Sequence, residues 1–251
     1  MFEESAAYLV LAAIGVATGI INTLAGGGSL ITLPVLIWAG LPADAANATN
    51  RVGVLLQSAA ASESFRRGGA LMFSQSRFAI LVTLIGAIVG TLASVQLTPA
   101  LMRNILGGAM VLLVFVVAFN PKRWVAEQGG IVVPLPLRFL GFFAIGVYGG
   151  LVQAGVGLFL LVGSVYLDGT NIVQANARKN LVVAVYTVPA LCIFAANGLV
   201  DWGLGLSLAF GGLVGGLIGV RLALRLGPAF VRGLLIVIAS AGALYLLVGE
   251  T

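Results

Sequence analysis

The sequence predicts an all-α polytopic membrane protein made of two inverted repeats. Each repeat is expected to hold a broken or re-entrant helical hairpin followed by three transmembrane helices. Three observations lead there. The chain is 60% hydrophobic and 8% charged, whereas a soluble domain carries about 25% charged residues, and no soluble fold of this size hides so much apolar surface. Strand-type alternation, the mark of a membrane β-barrel, is absent. The chain also repeats itself: LTPALMR at 97–103 returns as LGPAFVR at 226–232, 129 positions on. That offset also pairs Ala46-Asn47-Ala48 with Ala175-Asn176-Ala177, Phe65 with Phe194, Gly69 with Gly198, Gly86 with Gly215 and Gly90 with Gly219. Duplicated membrane units are a common basis for alternating access around a central site.

Each half contains five apolar segments. In residues 1–129 they are about 6–22 and 29–39, the hairpin, then about 48–65, 77–95 and 103–119. In residues 130–251 they are the hairpin at about 138–153 and 157–167, then about 178–195, 203–222 and 230–248. The polar, proline-containing stretch 120–136 reads as the linker. The acidic start, MFEESAAYLV, lacks the basic n-region of a signal peptide, so the first helix is expected to be retained. Both hairpins are interrupted, by NTLAGGGS at 22–29 and by QAGVG at 153–157. Three consecutive glycines weaken a helix by about 1 kcal/mol each relative to alanine. A segment of about 11 residues rises only about 16 Å, half the hydrocarbon thickness. Each pair therefore reads as a hairpin that enters and turns back, the alternative being one long kinked helix.

Charge chooses between these. With hairpins the halves have opposite orientation, and one side receives Arg66, Arg67, Arg77, Lys122, Arg123, Arg138, Arg178, Lys179, Arg221, Arg225 and Arg232. The other keeps only Arg51 and Arg103, so basic residues divide eleven to two. Single kinked helices divide them six to seven. The positive-inside rule favours the hairpins and places both termini outside the cytoplasm, in a bacterial-type cell membrane. The net charge of +5 then reflects cytoplasmic loops, not nucleic-acid binding.

A polar cluster follows each break and opens the third segment: PADAANATNR at 42–51 and DGTNIVQANARKN at 168–180. Asn47 matches Asn176, Asn50 matches Lys179, and Arg51 matches Asn180. Helix N-termini expose N–H groups with partial positive charge and bind anions readily. The expected site is a donor-rich pocket for a small oxyanion near the midplane. Its candidate residues are Asn22, Thr23, Gly26, Gly27, Gly28, Ser29, Asn47, Asn50, Arg51, Gln153, Asn176 and Lys179, with Thr32 adding a hydroxyl. Gly26, Gly27 and Gly28 would let the backbone approach the ligand, and Arg51 and Lys179 would offset its charge. A cation buried at mid-membrane is expected to have an anionic partner. The bland alternatives are helix packing for the glycines and helix capping for the amides. Glu63 is either a rim ion pair with Arg66 and Arg67 or a proton-coupling carboxylate.

These residues resemble the sulfite exporter TauE/SafE family. The resemblance is carried by GVATGIINTLAGGGSLITLPVL at 15–36 with NATNR at 47–51, and more weakly by GVYGGLVQAGVG at 146–157 with NARKN at 176–180. It covers nearly the whole chain, although the second copy has lost the glycine triplet. It implies transport of small sulfur-containing or carboxylate anions such as sulfite, sulfoacetate or related sulfonates.

The sequence also excludes other classes. There is no histidine, and the one cysteine, Cys192, reads as a small buried residue. No metal site, cofactor site or nucleophile–base pair suits an enzyme. The expected partners are a small anionic substrate, the lipid bilayer and a second copy in a homodimer. An anion channel sharing the same donors is the main alternative to a carrier.

Overall fold

The computed structural model describes the backbone of residues 4–71, 73–118 and 133–248, and the side chains of 8–24, 26–71, 73–113 and 133–226. Among the described residues there are nine helices and no strand. They are α1 (Glu4–Ala25), α2 (Ser29–Trp38), α3 (Ala43–Arg67), α4 (Phe73–Ser94), α5 (Pro99–Ala118), α6 (Leu135–Leu151), α7 (Val156–Asp168), α8 (Ile172–Ala196) and α9 (Trp202–Val248). Phe73–Ser94, Ile172–Ala196 and Trp202–Leu226 are long and apolar enough to cross a membrane. By contrast α2, with 10 residues, and α7, with 13, rise only about 15 and 20 Å and fall short of the roughly 30 Å hydrocarbon core.

Helix packing follows small residues, as expected where lipid competes with any apolar side chain. The first helix, α1, lies against α9, and α6 lies against α4; α3 also contacts α9, and α8 also contacts α4. A Cβ at Gly86 would lie 2.3 Å from the Phe143 carbonyl oxygen, and one at Gly90 2.0 Å from that of Val147. On the other pair, a Cβ at Gly211 would lie 1.9 Å from the Ala12 oxygen, and one at Gly215 2.1 Å from that of Val16. A Cβ at Gly219 would also lie 3.2 Å from the Ile20 oxygen. Gly215 and Gly219 thus face carbonyls four residues apart on α1, as Gly86 and Gly90 do on α6, and the helix starts Phe73 and Trp202 keep the 129-residue offset.

Three expectations change. The third helix of each half starts at Ala43 and Ile172, not near 48 and 178. Pro42 stands immediately before α3, where a proline suits a helix start, and Asn171 caps α8 by accepting from the Gln174 N–H at 2.9 Å. The polar clusters therefore sit inside helices. The segments expected at 203–222 and 230–248 form one helix, Trp202–Val248. Only Gly227 and Pro228 interrupt a run of helix formers there, and a helix carries a proline at the loss of one hydrogen bond. Cys192 is exposed on α8, because this part of the helix turns an apolar face outward. The linker 120–136 and the repeat boundary lie almost wholly outside the described residues.

The largest buried cluster draws on both halves. Leu24, Leu33, Phe65 and Met102 of the first meet Val152, Leu158, Leu181 and Val220 of the second. It surrounds the two helix breaks and holds them together.

Candidate functional site

The site is built where the breaks meet. After α1 the chain turns at Gly26, whose φ of 79° is left-handed. A Cβ there would lie 2.4 Å from the Gly157 carbonyl carbon, and one at Gly157 would lie 2.6 Å from the Gly26 Cα. The two breaks are thus in backbone contact. A Cβ at Gly28 would lie 2.7 Å from the Asn22 Cβ. The close approach at Gly26 is therefore to the protein's own chain, whereas Gly28, packed on Asn22, also lines the larger cavity. Gly27 serves the first turn of α2, its carbonyl accepting from the Leu30 N–H at 3.1 Å.

The second break runs from Val152 to Gly155. Here Gln153 adopts a φ of 62° and Gly155 one of 66°. A non-glycine residue in the left-handed region carries strain of about 1 kcal/mol or more. The Gln153 side chain is anchored: its Oε1 accepts from Arg51 Nη1 at 2.9 Å and from the Tyr186 hydroxyl at 3.1 Å.

Both cations are buried and neither pairs with a carboxylate, contrary to expectation. Each instead meets the carbonyl end of a broken helix in the other half. Arg51 on α3 donates to the Gly149 oxygen at 3.1 Å and the Gly150 oxygen at 2.6 Å, near the end of α6. Its guanidinium also lies 4.7 Å above the Phe194 ring. Lys179 on α8 donates to the Asn22 oxygen at 2.9 Å and the Thr23 oxygen at 2.8 Å, near the end of α1. The last carbonyls of a helix lack intrahelical donors and carry partial negative charge, so a buried cation there is stabilised without an anion. Asn47 assists by donating to the Leu151 oxygen at 2.9 Å, which also accepts from the Ser94 hydroxyl at 3.1 Å.

Two small polar cavities adjoin the crossing. One, of about 20 Å³, is lined by Thr18, Asn22, Ser29, Thr32, Asn50 and Gln57 together with small and apolar neighbours. Its walls are cross-linked: Asn22 Nδ2 donates to Gln57 Oε1 at 2.8 Å, and Gln57 Nε2 donates to the Thr23 hydroxyl at 3.1 Å. Asn50 Nδ2 donates to the Ser29 hydroxyl at 3.0 Å, and the Thr32 hydroxyl donates to Asn50 Oδ1 at 2.6 Å. The other, of about 10 Å³, includes Asn22, Ser29, Ser58, Gln153, Lys179 and Asn180. Asn22 and Ser29 belong to both. Each cavity holds about a water molecule, so a larger ligand requires the helices to part.

The structure therefore brings Asn22, Gly28, Ser29, Thr32, Asn50, Gln153 and Lys179 to the cavities and Thr23 to their hydrogen-bond network. Arg51 and Asn47 cap α6 and line neither cavity. Asn176 is buried at 1% exposure with no partner for either side-chain polar atom, and it too lies outside both linings. Glu63 sits at the exposed end of α3, accepting from Arg66 at 2.6 and 2.7 Å and from Arg67 at 2.7 Å. It is about 20 Å along α3 from Asn50. Thr18, Ser58 and Tyr186 escaped the sequence reading, because isolated small polar or aromatic residues in apolar helices look like packing. No group of His, Cys, Asp and Glu suited to a metal ion occurs among the described residues.

Comparison with known proteins gives the context. The family described as sulfite exporter TauE/SafE matches residues 11–246. The chain is 28% identical over 245 residues to "probable membrane transporter protein ORF9" of a Sinorhizobium species, covering 98% of this chain and 93% of that one. It is 27% identical over 231 residues to "probable membrane transporter protein YfcA" of Escherichia coli K12, covering 92% and 86%. A "probable membrane transporter protein" of Haemophilus influenzae is 24% identical over 230 residues, covering 92% and 90%. No solved structure matches the chain.

Proposed function

The chain belongs to the sulfite exporter TauE/SafE family of membrane transporters, and from that premise we propose that it moves a small sulfur-containing anion across the cell membrane by alternating access. Sulfite and sulfonates such as sulfoacetate are the substrate class. The observation that carries this reading is the pair of polar cavities sharing Asn22 and Ser29, set where two helix breaks touch at Gly26 and Gly157. Hydroxyls and amides of Ser29, Thr32, Asn50, Asn22 and Gln57 supply hydrogen bonds, and Lys179 supplies charge. In the proposed cycle the two halves are inverted, the hairpins re-enter, and rocking of one bundle on the other opens the site to each side in turn. A homodimer with both termini outside the cytoplasm completes the proposal.

Energetics favour export. A monoanion leaving a cell with a negative interior gains about 2.3 kcal/mol per 100 mV, so export needs no coupled proton. Glu63 is then a rim ion pair, not a coupling carboxylate. The test is flux in proteoliposomes: saturable sulfite counterflow, insensitive to a pH gradient, is expected. Single-channel currents would replace the carrier with an anion channel. Saturable acetate counterflow with sulfite inert would replace the sulfur anion with a carboxylate.

A further inference from the structure

Among the described residues Gln153 is the one non-glycine residue with a left-handed backbone, at a φ of 62°. A glycine takes that conformation without strain, as Gly155 does two residues on. A strained side chain kept at a break points to a use for that side chain. Gln153 is buried and lines the smaller cavity with Ser29, Lys179 and Asn180. Its amide has one orientation open to it. A guanidinium only donates, so the Gln153 atom 2.9 Å from Arg51 Nη1 is the oxygen. The Tyr186 hydroxyl donates to the same oxygen at 3.1 Å. Arg51 and Tyr186 are both 0% exposed, and neither lines either cavity. The oxygen is thus turned into the protein, and the NH2 end, with its two donors, is what Gln153 presents to the cavity. Asn22, Asn50 and Gln57 instead bond to hydroxyls or to one another, groups that both donate and accept.

We infer that Arg51 and Tyr186 are positioning residues that hold the Gln153 amide as a fixed N–H donor to the transported anion. This rests on the transport reading above and deepens it. Sulfite and sulfonates both offer acceptor oxygens, which the Gln153 N–H meets beside the Lys179 ammonium. A donor already aimed before binding needs no reorientation when the anion arrives. The two bonds on its oxygen also stop the amide from turning that oxygen, which repels an anion, into the cavity. Helix α8 carries both Lys179 and Tyr186, so one helix places the ammonium and sets the amide. Arg51 acts on the ligand through Gln153 while its remaining bonds secure the end of α6.

Sulfite counterflow in proteoliposomes containing the purified protein is the test, read as half-saturating concentration and maximal rate. Tyr186→Phe deletes one oxygen and keeps the packing. It should raise the half-saturating concentration about 10-fold, with the maximal rate within about twofold and the unfolding temperature in detergent nearly unchanged. Gln153→Glu keeps an acceptor for Arg51 and Tyr186 but turns a carboxylate oxygen into the cavity. It should fold as stably as the unaltered protein and raise the half-saturating concentration about 100-fold or more. A purely structural anchor would tolerate the glutamate. In a Gln153→Met background Tyr186→Phe should add nothing, because its effect passes through the amide. An undiminished effect there, or a folded Gln153→Glu with unchanged half-saturation, overturns the inference and leaves the transport reading standing. Absence of saturable sulfite flux with the unaltered protein overturns the transport reading and this inference with it. If Gln153→Glu does not fold, Tyr186→Phe compared in the two backgrounds decides alone.

Discussion

Arg51 and Lys179 cross between the halves of the molecule, each bonded to the carbonyl end of the other half's first helix. Two helices that break inside the bundle end in carbonyls with spare acceptor capacity, which is costly in an apolar interior; the Gly26 N–H at 2.8 Å from the Asn22 oxygen and the Thr91 hydroxyl at 3.3 Å from the Gly150 oxygen meet part of it. The crossed cations remove that cost and fasten the breaks together. One residue of the pair reaches a cavity and the other does not, so their substitutions should differ in kind.

Arg51→Met leaves the Gly149 and Gly150 oxygens without their guanidinium donor. A buried acceptor stripped of its partner costs about 1–3 kcal/mol; since the Gly150 oxygen keeps the Thr91 hydroxyl at 3.3 Å, a loss of about 1–3 kcal/mol is expected. Thermal unfolding of the detergent-solubilised protein measures it. Arg51→Lys should recover only part, since an ammonium lacks the planar fork that spans both carbonyls and Gln153.

Gly26→Ala meets two obstacles, a left-handed backbone and the Gly157 carbonyl carbon 2.4 Å from the new Cβ. Overpacking costs about 1–3 kcal/mol and the φ about 1 kcal/mol more. The variant should unfold at a clearly lower temperature and lose flux. Gly107→Ala is the control: it is helical, with nothing within 4 Å of a new Cβ, and should be neutral or slightly stabilising.

Asp168 joins α7 to α6 and α8 through Arg138 at 2.6 Å and Arg178. The Asp168 and Arg178 side chains are each 5% exposed, whereas Arg138 is 31% exposed. Asp168→Asn leaves the buried Arg178 without its counter-charge, and a loss near 3 kcal/mol is expected in the same unfolding assay. Glu63→Gln, breaking the exposed pair at the end of α3, should leave unfolding temperature and sulfite export unchanged.

Asn50→Leu removes the amide that joins Ser29 to Thr32 across the larger cavity. Sulfite counterflow should fall by about two orders of magnitude, since unpaired polar groups in a binding site penalise the wrong geometry heavily. Expression and unfolding temperature should change far less than flux.

The breaks were legible because glycine triplets and short apolar segments are local signals. So were Asn22 and Ser29, as polar residues within the first break, and Asn50 and Lys179, as polar residues following the breaks. Two things were not. The partner of each cation is backbone carbonyl, which no side-chain pattern reveals. Asn47 and Arg51 read as ligand donors because capping an interior helix end and binding an anion call for the same residue types.

The central claim is that the paired cavities at the touching breaks receive the anion. A structure determined at saturating sulfite tests it most directly. Density is predicted between Ser29 and Lys179, within hydrogen-bond distance of both and of the Asn22 amide, with the breaks at Gly26 and Gly157 moved apart to make room. An anion bound elsewhere, with Lys179 still seated on the Thr23 carbonyl and the cavities unchanged, would contradict the account.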